Sequence, residues 1–253
     1  MVRVFKCHSF ASQCVVPIEK EPLAIYAEGD KVFVATSDCE IIVFQVRDGS
    51  STEIQRCVTI SPVDHLIYNN FRNYIATVEL KKSWKRVTRS VRVYLNWDNI
   101  VAGESKARTK VRIAGRSHVQ HMSSAGASSL LEIVEVPVDG NATCVAVCRY
   151  TGNFAVACGS EVKLCSVVEK TVGTSDKTYL DVEVFLELCW SFPVLSISLC
   201  EEFVVCCSHK EVHGIRVRYT GNFAVACGSE VKLCSVVEKT VGTSDKTYLD
   251  VEV

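Results

Sequence analysis

Residues 143–167 read Thr143-Cys-Val-Ala-Val-Cys148-Arg-Tyr-Thr-Gly-Asn153-Phe-Ala-Val-Ala-Cys158-Gly-Ser-Glu161-Val-Lys-Leu-Cys-Ser-Val167. Three short apolar runs rich in β-branched and small residues are separated by two turn signals, Tyr150-Thr-Gly-Asn153 and Gly159-Ser160. That pattern predicts three consecutive antiparallel strands joined by tight turns. Working outward, residues 194–217 repeat the plan, with Glu201-Glu202 at the first turn and Ser208-His209-Lys210 at the second. Residues 64–97 show a looser version with a longer, basic second hairpin, and residues 31–46 supply the last two strands of an earlier unit.

Further candidate strands are Lys31–Thr36, Glu40–Val46, His65–Tyr68, Asn73–Val78, Val91–Trp97 and Leu130–Val136. No window of twelve residues carries a helical period. The expected fold class is therefore all-β. Three or four successive meanders predict a partial, WD-repeat-like β-propeller, and the small residues before Gly159 suit a crowded strand near a propeller axis. A β-sandwich is the alternative, because single strands do not distinguish the two. Trp97-Asp98 is a literal Trp-Asp pair, but without a Gly-His partner it reads as an aromatic ending a strand.

The chain also contains a repeat too good to be structural. Arg149–Val184 and Arg218–Val253 are identical over 36 residues at an offset of 69. Stacked repeats keep framework residues and drift elsewhere. An undrifted copy therefore reads as a recent exon duplication or a gene-model artefact. The expected organisation is an incomplete propeller-like domain over 1–217, followed by the duplicate 218–253.

At 253 residues, with 48% hydrophobic and 23% charged residues, the chain can bury a sizeable core. Its net charge of −1 makes the whole chain no polyelectrolyte, and no nucleic-acid partner is expected. Fourteen cysteines are many, yet they fall short of the roughly 8–10% of a disulfide scaffold. Most fall inside apolar runs, where a free thiol behaves as a small hydrophobe. The N-terminus shows no secretory h-region and no stretch reaches membrane-spanning length, so the expectation is a cytosolic protein with reduced thiols.

Motifs for chemistry are few. His209 and His213 lie four apart in a segment that reads as strand, which separates them by roughly 13 Å, too far for one zinc ion. His118 and His121 lie in a polar loop with no nearby cysteine or carboxylate to complete a set. There is no CxxC spacing, Walker loop, dinucleotide fingerprint or nucleophile elbow. No catalytic residue, cofactor or metal is expected, and an enzyme would need polar groups converging in space that no motif announces.

Two local features remain as candidate sites. Residues 81–118 hold eleven basic side chains against two acidic ones, Asp98 and Glu104. Their core, Lys81, Lys82, Trp84, Lys85, Arg86 and Arg89, mixes cations with an aromatic ring. The functional reading is contact with phosphate or an anionic peripheral membrane surface, and the plainer one is a solvated hairpin tip followed by a loop. The second feature is Tyr179-Leu180-Asp181-Val182-Glu183, repeated at 248–252, which resembles a clathrin box that would dock as an extended peptide. An alternating strand explains the same five residues.

Over most of 1–217 the chain resembles the N-terminal region of the Hermansky-Pudlak syndrome 3 protein family. The resemblance is carried by His8-Ser-Phe-Ala-Ser-Gln-Cys-Val-Val-Pro17 with Glu21-Pro22, Val93–Trp97, Glu132–Pro137, Cys144–Val167 and Pro193–Val217. It implies a non-enzymatic scaffold subunit of biogenesis of lysosome-related organelles complex 2. The implied role is vesicle trafficking to melanosomes and platelet dense granules, through contacts with the other two subunits and with clathrin. The implied location is the cytosol, peripheral to endosomal membranes. Family members are much longer, with a helical region that follows the propeller-like part. At Tyr179 and Val182 this chain departs from the family's box, which puts clathrin contact in doubt.

Overall fold

The structure is a computed structural model that describes residues 2–5, 12–16, 18–82, 86–99, 108–116, 119–122, 130–171, 178–217, 222–227, 230–240 and 247–252. Among them are twenty-two strands and one 3-10 turn, so the chain is all-β as its periodicity predicts. A two-stranded unit, β1 (Val2–Phe5) and β2 (Ser12–Val16), comes first. The first four-stranded meander is β3 (Pro22–Glu28), β4 (Lys31–Thr36), β5 (Glu40–Arg47) and β6 (Ser50–Val58). The next sheet begins with β7 (Val63–Asn69), β8 (Tyr74–Lys82) and β9 (Val87–Leu95), after which Trp97–Asn99 form the 3-10 turn.

An insertion, β10 (Arg108–Ile113) and β11 (Val119–Met122), precedes β12 (Leu130–Val136), and the sheet order is β11-β10-β12-β9-β8-β7. β10 runs parallel to β12. The loop expected within 81–118 therefore contains β10, and the polar loop expected at His118 and His121 contains β11; the two strands widen this blade outward. A third meander is β13 (Ala142–Val147), β14 (Phe154–Cys158), β15 (Glu161–Thr171) and β16 (Thr178–Cys189). A three-stranded sheet follows, β17 (Ser196–Leu199), β18 (Phe203–Cys207) and β19 (Val212–Arg216). The duplicate forms its own sheet, β20 (Asn222–Cys227), β21 (Glu230–Thr240) and β22 (Thr247–Glu252).

The first strands of successive sheets lie side by side: β3 packs against β7, β7 against β13, and β13 against β17. Each sheet is thus a blade set radially, with its first strand innermost. This is propeller geometry, and the described strands form an arc of blades, no closed barrel. The apolar clusters are the seams between blades. Phe33, Ala35, Ile41 and Val43 of the first blade meet Leu66, Tyr68, Ile75 and Tyr94 of the second. Across that seam Phe33 stacks on Tyr68 at 4.4 Å, and Trp97 meets both rings edge-on at 5.5 and 5.6 Å.

Tyr74, Val78, Val91 and Val93 of the second blade meet Phe154, Val156 and Cys165 of the third. Ala155, Ala157 and Leu164 of the third blade then meet Val204 and Cys206 of the fourth. A blade buried on both faces has no solvent side, so its strands read as continuous apolar runs rather than alternating ones. All five residues of β14 are buried for this reason. β14 itself is the second strand of its blade, with β13 between it and the axis. Its small side chains suit a position squeezed between two seams.

Candidate functional site

The fold sorts the cations of the basic segment into paired and exposed groups. Arg92 on β9 is buried with Nη1 2.6 Å from Glu79 and Nη2 3.0 Å from Glu135. Glu79 is fully buried and also accepts from the Thr77 hydroxyl at 3.0 Å, the Ser61 N–H at 2.9 Å and the Tyr94 hydroxyl. Burial, first, and the Glu79 charge push the Tyr94 phenol well above its ordinary pKa, so it stays a donor. Lys110 pairs with Glu132 at 3.0 Å and Arg89 with Asp64 at 3.0 Å. Arg89 also donates its backbone N–H to Asn141.

Arg112 is turned inward. Its guanidinium faces Asp181 at 3.7 Å, stacks over the Tyr179 ring at 4.6 Å and donates to the Leu180 carbonyl. Arg89, Arg92, Lys110 and Arg112 are thus held by acids that come from outside the basic segment: Asp64, Glu79, Glu132, Glu135 and Asp181.

Lys81, Lys82, Arg86 and Arg116 remain exposed and make no ion pair among the described residues. The ladders place them at one end of the second blade. Ile113 pairs with Glu135, Glu135 with Arg92 and Arg92 with Thr77. Arg116 follows Ile113 by three residues, and Lys81 and Lys82 run past Thr77 toward the same rim. Trp84 and Lys85 lie outside the described residues.

Tyr179–Glu183 sits at the start of β16, fully laddered on β15, with Lys170 opposite Tyr179 and Val167 opposite Val182. Val182 is buried in the seam between the second and third blades. Asp181 is buried between Lys170 at 3.3 Å and Arg112 at 3.7 Å. Leu180 and Glu183 are the members of the five that face solvent. The two sequence candidates therefore meet, Arg112 from one lying on Tyr179, Leu180 and Asp181 from the other. No local signal announces this contact, because Arg112 and Leu180 stand 68 residues apart in the chain.

His213 packs edge-on against Phe192 at 4.9 Å and Trp190 at 5.8 Å, with Glu211 3.4 Å from its Nε2. A cavity of about 230 Å³ opens between the third and fourth blades, lined by Asn153, Leu164, Phe185, Leu199, Glu201 and Val217. It falls below the ~300–1,000 Å³ of ordinary ligand pockets. Burial pushes the Cys165 and Cys206 thiols up to about 12, so they are packing groups at neutral pH. No helix among the described residues is long and apolar enough to cross a membrane.

The family described as "Hermansky-Pudlak syndrome 3 protein, N-terminal" matches residues 3–250. "BLOC-2 complex member HPS3" of Homo sapiens is 28% identical over 217 residues, covering 84% of this chain and 20% of that protein. The protein of the same name from Mus musculus is 27% identical over 166 residues, covering 65% of this chain and 16% of its own length. The chain thus spans about a fifth of the length of the curated relatives it matches. Among solved structures, a functionally unknown protein from Desulfotomaculum acetoxidans aligns with a TM-score of 0.55 at 9% identity, over 97% of this chain and 74% of that one. That likeness concerns the fold alone. With a family match running almost from end to end, the chain belongs to the Hermansky-Pudlak syndrome 3 protein, N-terminal, family.

Proposed function

We propose that the chain is a non-enzymatic scaffold segment that works through protein–protein contacts in the biogenesis of lysosome-related organelles, as part of BLOC-2. The observation that carries this is the family match over residues 3–250, together with relatives named as BLOC-2 complex members. The site chemistry agrees with it. The buried polar groups of Glu79, Arg92 and Tyr94 are spent on one another, in the way of structural networks rather than of groups awaiting a substrate. The segment acts in the cytosol, peripheral to endosomal membranes. Clathrin docking through Tyr179–Glu183 would require β16 to leave its ladder and expose Val182, so it forms no part of the proposal. The test is co-expression of the tagged full chain with the other two subunits of the complex. Co-elution of either subunit with the folded chain is expected, and elution of the folded chain alone would refute the scaffold role.

A second reading is favoured by the sorting of cations, which leaves Lys81, Lys82 and Arg86 on one rim beside Arg116. It is contact with an anionic lipid surface, where each basic residue contributes about 1 kcal/mol. Substituting Lys81, Lys82, Lys85 and Arg86 by serine should then lower binding to phosphatidylserine vesicles by about a hundredfold or more. Unchanged binding, or equal binding to neutral vesicles, would remove this reading.

A further inference from the structure

We propose that residues 218–253 are a spare for residues 149–184, able to displace them from the third blade within one molecule, so that the chain holds two sequences for one place. This stands independently of the function proposed above. Both seams of the third blade draw on the repeated segment. Phe154, Val156, Cys165, Val167 and Val182 fill the seam toward the second blade. Ala155, Ala157, Val162 and Leu164 fill the seam toward the fourth. Polar fastenings lie within the segment as well: the Gly152 carbonyl accepts from the Tyr74 hydroxyl at 2.9 Å, and Asp181 faces Arg112 at 3.7 Å. Each residue that the repeat contributes to these contacts recurs 69 positions later, from Gly221 to Val251.

The two ends of the repeat fit such an exchange. At the start, Val217, the residue before Arg218, lines the same cavity as Thr151 and Asn153. The copy thus leaves the fourth blade beside the point where the original enters the third. At the end, Cys165 lies opposite Val184 and Leu164 opposite Leu186, so the ladder passes over Phe185. The repeat stops at this irregularity. Phe185–Cys189 can therefore keep their ladder on whichever copy supplies the facing strand, Glu161–Leu164 or Glu230–Leu233. What the copy lacks is a first strand: β20 ladders to β21 alone among the described residues, whereas β14 has β13. Taking the original's place gives it β13.

Identical side chains make identical seam contacts, and the displaced copy keeps its hairpins, as β20–β22 do. The connections therefore decide the occupant. Exchange replaces the turn between Val147 and Phe154 by a loop of the 36 displaced residues. By loop length alone that lowers its population about fifteenfold, so the original holds the place in the parent chain. Truncating a buried phenylalanine to alanine disfavours the copy that carries it by about a hundredfold or more, enough to reverse this preference. Phe154 is such a residue, fully buried and packed on Tyr74 at 5.6 Å.

The test compares Phe154→Ala, Phe223→Ala and F154A/F223A in the full chain. The double variant should melt about 10 °C below the parent. Phe154→Ala should fall by no more than about 5 °C, because the copy takes over, and Phe223→Ala by no more than about 2 °C. The alanine also distinguishes the two otherwise identical peptides by mass, so a thiol reagent at about pH 8 reports which copy is buried. Cys158, 6% exposed in the third blade, should stay protected in Phe223→Ala and be modified in Phe154→Ala, where Cys227 is protected instead. Additive melting losses, an unfolded Phe154→Ala chain, or a Cys227 equally reactive in the two single variants would each overturn the proposal. So would a rescue that fades on dilution, since the copy would then be entering a second molecule.

Discussion

Arg92 gives the sharpest test of how the fold divides its cations. In Arg92→Met a side chain of similar reach replaces the guanidinium, and the fully buried Glu79 loses the partner 2.6 Å from its Oε2. Glu79 keeps the Ser61 N–H and the Thr77 and Tyr94 hydroxyls, but no cation. Removing one partner of a buried ion pair costs about 3–5 kcal/mol, since the remaining charge stays desolvated. Glu135 is part-exposed and can turn to water, so it adds little. In a chain of this size each kcal/mol moves the melting temperature by roughly 2–4 °C, so a fall of about 10 °C is expected. Near-ultraviolet circular dichroism follows it, because Trp97, Tyr68 and Tyr94 line the adjoining seam. The double variant E79L/R92M removes both charges and should recover much of the loss. Neutralising Lys81, Lys82 and Arg86 together should move the melt by no more than about 1–2 °C. An Arg92→Met melt within about 2 °C of the parent, or a double variant no better than the single, would refute the reasoning.

Two further outcomes follow from local geometry. Gly152 has φ +73°, and a Cβ there would stand 2.4 Å from Arg72 Cγ and 3.3 Å from Phe71 Cδ1, whereas Gly159 has φ +60° with open space around it. Gly159→Ala should cost about 1 kcal/mol and Gly152→Ala about 1 kcal/mol more, read from urea midpoints, and equal losses would contradict the close approach. For Cys165 the folded pKa lies above the ordinary thiol value, at about 12. Its contribution to stability is therefore complete below pH 9 and declines as pH rises from there toward 12, by up to about 1.4 kcal/mol per pH unit. Cys165→Ala should flatten that decline, and a thiol reagent at about pH 8 should modify exposed Cys189 and Cys200 but leave Cys165. Modification of Cys165 at the same rate as Cys200 would show that the seam opens.

What the residues declare and what they hide divides along the radius of the blades. β4, β5, β8 and β14 are legible because burial on both faces gives each an unbroken run of four or more buried residues. β6, Ser-Ser-Thr-Glu-Ile-Gln-Arg-Cys-Val, is mostly exposed and is missing from the candidate strands, because an outermost strand holds its place through the ladder to β5 rather than through its own side chains. β10 is hidden for another reason: its cations, Lys110 and Arg112, look like solvent-facing residues until Glu132 and Asp181 are brought beside them.

The duplicate separates the two kinds of information. Its strands repeat the registers of the original, Phe223 opposite Cys234 as Phe154 is opposite Cys165, and Val236 opposite Val251 as Val167 is opposite Val182. Hairpin register is thus encoded within the 36 residues, in turn chemistry and side-chain alternation. The first strand is not: in the original it is β13, which lies before the repeated segment, and β20 instead follows β19, itself laddered to β18. A copied run of strands carries its ladder with it but not its place in the ring. The charge pattern of 81–118 misleads for the same reason, since the acids that pair with its cations come from other strands.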